Sequence, residues 1–359
     1  MTGQGGEASA GGPATGRIDF DPAALAAFLD ARFGPAALAL ERIGGGQSNP
    51  TYFVDHGARR LVLRKQPAGP ILRGAHAVDR EYCVLEALAG TDVPVPRAVL
   101  YHAEPEPLGT PFYLMERLEG RVFHDCAWPG LAPAERRCLY LGMAEALAKL
   151  HAVRPEDVGL GDFGRPGNYF ERQIGRWTKQ LRESPGAPIP ELEAVAGWLP
   201  AQLPPDDGRG AIAHGDFRLG NLLFHPHRPE VIGILDWELS TLGHPLADLG
   251  YCVMPWRTAP DEYGGILGLD HAALGIPGEA EFLAHYHAHA VPTPPLTRFH
   301  RVFALFRFAV IFVGIADRVR AGTAAAANAA EFGPLAQRLA RRALDAMAEP
   351  EAGREGGAA

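Results

Sequence analysis

Three oxygen-bearing side chains stand at the ends of two short apolar runs, Leu222–Phe224 and Val231–Leu235. Asp216 and Asn221 precede the first run and Asp236 closes the second. The polar, proline-containing segment His225–Glu230 between them has the length and composition of a hairpin connection. Pairing the runs gathers two carboxylates and an amide oxygen, a hard-oxygen set suited to Mg²⁺. Phosphoryl transfer from ATP needs the same set: one Asp orients and deprotonates the attacking hydroxyl, while an Asn and a second Asp hold metal against the phosphates.

The spacing His214-Gly215-Asp216 followed by Asn221 fits the kinase pattern H-x-D-x-x-x-x-N, and Asp236-Trp237-Glu238 stands where kinases carry the metal-binding D-F-G. On these residues the stretch resembles the aminoglycoside phosphotransferase and choline kinase-like superfamily, which shares the protein-kinase fold. The strings H-G-D-F-R-L-G-N and D-W-E-L-S-T-L-G-H-P-L-A-D-L look like the branch that includes kinase-like domains fused to some acyl-CoA dehydrogenases. The resemblance implies an α+β fold of two lobes, a small antiparallel-sheet lobe followed by a mainly helical one. It also implies use of ATP and Mg²⁺, and a functional link to an acyl-CoA dehydrogenase. Asp216 takes the role of base, Asn221 and Asp236 that of metal ligands, and Asp248 a structural role bracing the catalytic loop. Arg218, two residues after Asp216, either stabilises charge on the transferred group or braces the loop.

Upstream elements must position this set. Asp21-Pro22 reads as the cap and first turn of a helix through Phe33, packed outside the small lobe. A glycine-rich turn, Ile43 to Pro50, then precedes an alternating strand. Glycines let backbone amides approach phosphates, and in the resembled family this segment, here Gly45, Gly46, Ser48 and Asn49, covers the nucleotide. Leu61–Lys65 is the next strand. Its side chains alternate faces, so only one of Arg64 and Lys65 points into the cleft. Aligning V-L-R with the kinase aliphatic-x-Lys selects Arg64 as phosphate clamp, and a bulge or shifted register would select Lys65. Ala77–Leu88 has helical spacing, and its R-E-x-x-x-L string resembles the family helix whose Glu, here Glu81, pairs with that cation. Phe112–Leu118 reads as a mostly buried strand; in the resembled superfamily this strand exits into the interlobe hinge, whose backbone recognises adenine, which makes backbone groups near Glu116 and Leu118 the candidates.

In the second lobe, Pro133–Val153 is a long scaffold helix and Tyr169–Arg182 another, with Trp177 either touching substrate or packing. Thr297–Arg320 is a largely apolar helix that must be buried, and Arg307 inside it requires an anion or several acceptors. From Tyr251 to Asp345 there are eight Asp and Glu against nine Arg and no Lys, although the whole chain carries a net charge of −8. With Arg307 and Glu238 as substrate candidates, this balance favours a small hydroxylated substrate with an anionic handle, a hydroxy acid or its CoA thioester. An aminoglycoside is the alternative substrate, since a polycation wants an acidic pocket. His285 and His289 share a helix face at metal-binding spacing, but no carboxylate motif lies near them in sequence.

The remaining features narrow the class. A 359-residue chain with 47% apolar residues can build two cores. The expected division is a tail over 1–17, a nucleotide-binding lobe over 18–117, a catalytic and substrate lobe over 118–348, and a tail over 349–359. The acidic balance without basic runs argues against nucleic acid. Four scattered cysteines suggest neither zinc nor disulfides, and most read as small core residues in a reducing cytoplasm. The first residues lack a signal peptide's charged and apolar regions, and the longest apolar stretch, Phe308–Ala316, is too short to cross a bilayer. The rival reading is a nucleotide-binding, catalytically silent kinase-like module. Its signature would be loss of the base or a metal ligand, and neither is missing.

Overall fold

The computed structural model describes residues 18–44, 49–69, 76–165, 167–322 and 334–350. Gly45, Gly46 and Ser48 of the glycine-rich turn, and nearly all of the two expected tails, lie outside these residues. The chain divides into two units. One takes residues 1–122, 223–228 and 232–238, the other 123–222, 229–231 and 239–359.

The first unit is built on a five-stranded antiparallel sheet of order β1-β2-β3-β5-β4. Its strands are β1 (Leu38–Arg42), β2 (Thr51–His56), β3 (Arg59–Lys65), β4 (Ala98–His102) and β5 (Phe112–Glu116). Period-two alternation sends Leu61 and Leu63 to one face, where Tyr52, Val54, Phe112 and Leu114 join them. Helix α1 (Pro22–Phe33), capped by Asp21, buries Leu25 and Leu29 against this face. It is therefore part of the core and not an outer addition; truncating Leu29 would cost roughly 2–5 kcal/mol. The opposite face carries Arg64 and Tyr113, which are register partners. Helix α2 (Val78–Leu88) brings the fully buried Glu81 to them.

Helices dominate the second unit: α3 (Pro133–Ala152), α4 (Tyr169–Arg182), α5 (Pro190–Ala201), α6 (Pro245–Cys252), α7 (His271–Leu274), α8 (Glu279–His289), α9 (Arg298–Arg320) and α10 (Leu335–Ala348). Most of α9 from Phe299 to Val313 is buried, as its apolar run requires. Strand β6 (Ala211–Ala213) pairs with β9 (Thr241–Gly243). The paired strands β7 (Leu222–Phe224) and β8 (Val231–Ile234) fall mostly among the residues of the first unit. The α+β organisation is the one expected.

Only one cysteine behaves as expected. Cys252 is buried and Cys126 half-buried, but Cys83 and Cys138 are exposed on the polar sides of their helices, and none forms a disulfide. Among the described residues no helix is long and apolar enough to cross a membrane.

Candidate active site

Strand β6 ends at Ala213 and delivers the chain into the loop His214-Gly215-Asp216. Gly215 has φ of 82°, and a Cβ there would lie 2.5 Å from the Leu239 carbonyl oxygen, so only glycine fits. The loop is held from α6. Asp248, 1% exposed, accepts the amides of His214 at 2.6 Å and Gly215 at 2.9 Å, with His151 Nε2 at 3.5 Å. Burial opposes the charge on Asp248, yet the bonds from His151 and the loop amide hold its carboxyl below the ordinary value. On the other side Arg307 donates to the Gly215 carbonyl, its guanidinium 5.6 Å from the ring centres of both Trp177 and Tyr251.

This frame fixes the Asp216 carboxylate. Tyr251 donates to Oδ1 at 2.7 Å, while Asn221 Nδ2 at 2.8 Å and Arg218 Nε at 3.3 Å donate to Oδ2. Burial, then the Asp216 charge, pushes the Tyr251 phenol well above its ordinary value, so it stays a donor. Asn221 spends its amide nitrogen on Asp216, which leaves its Oδ1, a hard oxygen donor of the kind Mg²⁺ takes.

A pocket of the same unit adjoins this loop. Its walls are aromatic and apolar, including Trp128, Tyr140, Met254 and Tyr263, with Arg218, His124 and Tyr251 as its main polar groups. Among its described lining residues there is no Asp or Glu.

The first unit holds a separate cluster. Arg64 Nε lies 3.0 Å from Glu81, and Arg64 Nη2 lies 2.5 Å from Asp236 and 4.0 Å from Glu238. Burial pushes the Glu81 carboxyl up to about 7 against the pull of Arg64, and Asp236 and Glu238 add to the rise. Asp236 has φ of 66°, a left-handed conformation that Asp tolerates better than most residues. Three carboxylates facing one guanidinium give this corner the donor chemistry of a hard divalent cation.

The pattern of the phosphotransferase enzyme family matches residues 39–265. The chain belongs to that family. It is 42% identical to a crystal structure from Ralstonia eutropha provisionally assigned as an aminoglycoside phosphotransferase, with a TM-score of 0.83 over 91% of this chain and 98% of that one. A thermostable aminoglycoside phosphotransferase mutant solved with AMP-PNP and hygromycin B shares the fold at 12% identity, with a TM-score of 0.62 over 91% of this chain and 99% of that one. Acyl-CoA dehydrogenase family member 10 of Mus musculus is 40% identical over 305 residues, 84% of this chain. The chain spans 28% of that protein's length.

Within this phosphotransferase-family chain, the structure places the expected residues in two sets. Asp216, Arg218 and Asn221 meet in the second unit, and Arg64, Glu81, Asp236 and Glu238 in the first. On β3, parity sends the two cations to opposite faces. Lys65 turns to the α1 face, 1% exposed and 3.0 Å from Asp19, which leaves Arg64 with Glu81. Asn49 points inward, donating to Glu81 at 2.8 Å with His76 Nδ1 3.1 Å from its Oδ1, so its side chain orders Glu81. Glu116 ends β5 with its amide bonded to the Arg97 carbonyl, and Leu118 follows two residues later.

Two substrate candidates need correction. Arg307 is 6% exposed, and its partners are a backbone carbonyl and two aromatic faces rather than an anion. Trp177 is 7% exposed, packs against Arg307, and does not line the pocket. Tyr251 was missed. Its only signal was the spacing Asp248-Leu-Gly-Tyr251, which puts both groups on one side of α6.

Proposed function

We propose that this chain transfers the γ-phosphoryl group of ATP to a hydroxyl of a small molecule in a Mg²⁺-dependent reaction. The observation that carries this reading is the Asp216 carboxylate, fixed by Tyr251, Asn221 and Arg218 next to a carboxylate-free pocket. Asp216 would orient the hydroxyl and accept its proton as the oxygen attacks phosphorus and ADP leaves. Arg218 would stabilise charge on the transferred group, and Arg64, ordered by Glu81, would clamp phosphate oxygens. Asn221 Oδ1 and the Asp236 carboxylate are the proposed metal donors. Bound Mg²⁺ would neutralise phosphate charge during transfer.

For the acceptor, the aromatic lining and the single guanidinium of Arg218 favour a hydroxylated acyl compound, a hydroxy acid or hydroxyacyl-CoA. Identity to a segment of an acyl-CoA dehydrogenase family member supports the same class and a functional link to such a dehydrogenase. The anion-binding role expected of Arg307 passes to Arg218.

The test is ADP release over a panel of hydroxy acids, their CoA thioesters and kanamycin-like amines, with and without Mg²⁺. Turnover on hydroxyacyl compounds that vanishes in Asp216→Asn is expected. Phosphorylation of the amines alone would overturn the substrate class, and ATP binding without turnover on any acceptor would leave a silent nucleotide-binding module.

A further inference from the structure

We infer that the second unit carries a divalent transition-metal site made by Glu145 of α3 with His285 and His289 of α8. The sequence shows only the two histidines; folding supplies the carboxylate from 140 residues upstream of His285. Ligand atoms of the three side chains all lie within 4.8 Å of one another. Glu145 Oε1 is 2.8 Å from His285 Nε2 and 3.9 Å from His289 Nε2. The second contact is too long for a hydrogen bond, so a histidine–carboxylate pair accounts for His285 alone, while His289 is held by a backbone contact of its own with Nε2 turned toward the same carboxylate.

His289 is oriented as metal-bound histidines are. Its Nδ1 donates to the His285 carbonyl at 2.8 Å, which fixes the tautomer and leaves the lone pair on Nε2, the nitrogen facing Glu145. The backbone oxygen can only accept, so Nδ1 must be the protonated nitrogen. Two imidazoles and one carboxylate are a borderline donor set that suits Zn²⁺ better than Mg²⁺ or Ca²⁺. Bonds of roughly 2.0–2.2 Å in a tetrahedral shell put donors roughly 3.4 Å apart, so modest side-chain rotation would close this cluster on an ion. Side-chain exposures of 26%, 41% and 44% for His285, Glu145 and His289 leave a path for the ion and a coordination position for water.

The site would staple α8 to α3 at a sensitive place. Tyr286, next to His285, has its hydroxyl 2.8 Å from His151 Nδ1, and His151 Nε2 faces the Asp248 that holds the catalytic loop. The site depends on none of the proposed phosphoryl-transfer roles and can be tested without an acceptor substrate.

The experiment is titration of the metal-free full chain with Zn²⁺ by calorimetry and thermal unfolding, with Co²⁺ as an optical probe. One saturable equivalent is expected, raising Tm and giving the visible absorption of a low-coordinate Co²⁺ centre. Glu145→Gln, Glu145→Ala and His289→Asn should each weaken binding at least about tenfold, while His287→Ala keeps it. Saturable binding unchanged in the Glu145 and His289 variants, or its loss in His287→Ala, would show adventitious chelation by surface histidines and overturn the site. So would the absence of any saturable equivalent in the wild type. Glu145→Gln keeps shape and hydrogen bonding, so a folded variant is available even if Glu145→Ala destabilises the helix pair.

Discussion

Tyr251 donates its hydroxyl to Asp216 Oδ1 at 2.7 Å, from the same short helix on which Asp248 accepts two amides of the Asp216 loop. One eight-residue helix therefore sets both the path of the loop and the aim of its carboxylate. Tyr251→Phe removes the aim and keeps the path. It should lower kcat by about tenfold to a hundredfold, on the order of 1.4–2.7 kcal/mol in the barrier, with little change in Tm or in KM for ATP. Steady-state kinetics beside Asp216→Asn, which should lose several decades of kcat, checks this; a Tyr251→Phe enzyme at wild-type rate would reassign the tyrosine to packing.

The two adjacent cations of β3 should fail differently. Arg64→Ala removes the group facing Glu81 and Asp236, so KM for ATP should rise and kcat fall. Lys65→Ala leaves Asp19 without its ammonium partner and opens space at a position 1% exposed, so it should cost stability, on the order of 1–3 kcal/mol, with near-normal kinetics. Denaturant unfolding and kinetics on both variants separate the two; a swap of the two outcomes would reverse the assignment of the faces.

Gly215→Ala should be severe for its size. The backbone is left-handed there and the added methyl meets the Leu239 carbonyl, so a loss on the order of 1–3 kcal/mol is expected together with collapse of turnover. The check is Tm and ADP release on the same preparation. Normal stability with normal turnover would mean that the loop relaxes more readily than its contacts imply.

Acid should weaken the fold through His300. Burial holds its pKa near 3, with His244 and Arg301 adding to the depression, against 6.5 in the unfolded chain. Between pH 6.5 and 3 the unfolded state binds the proton and the native state does not, so stability falls as pH falls through that window. Nδ1 also receives the Thr297 amide at 3.1 Å at the start of α9, a bond that protonation would break. His300→Gln, which preserves the reach back to the cap, should flatten the pH dependence of the unfolding free energy between those limits. An unchanged slope would place the acid sensitivity elsewhere.

Local physics explains which parts were legible in advance. Capped, periodic segments such as α1 and α9 declare themselves because their determinants lie within a few residues. Parity along β3 separated Arg64 from Lys65 once the register was known, but register depends on partner strands and left both open in the sequence. Arg307 was read as needing an anion or several acceptors; the structure gives it a backbone carbonyl and two ring faces, and neither has a signature in a string of letters. The carboxylate beside His285 was invisible for the related reason that α3 and α8 lie far apart in the chain.

The grip on Gly215 from both sides has a consequence for motion. Its carbonyl is bonded by a buried guanidinium and its amide, like that of His214, by a buried carboxylate. Opening this peptide alone would strand two charges in the interior, so no small fluctuation exposes it. Its amide hydrogens should therefore exchange with solvent on the schedule of the α9 core rather than of a surface loop. A segment proposed to meet a substrate would behave, on the timescale of hours, as part of the interior.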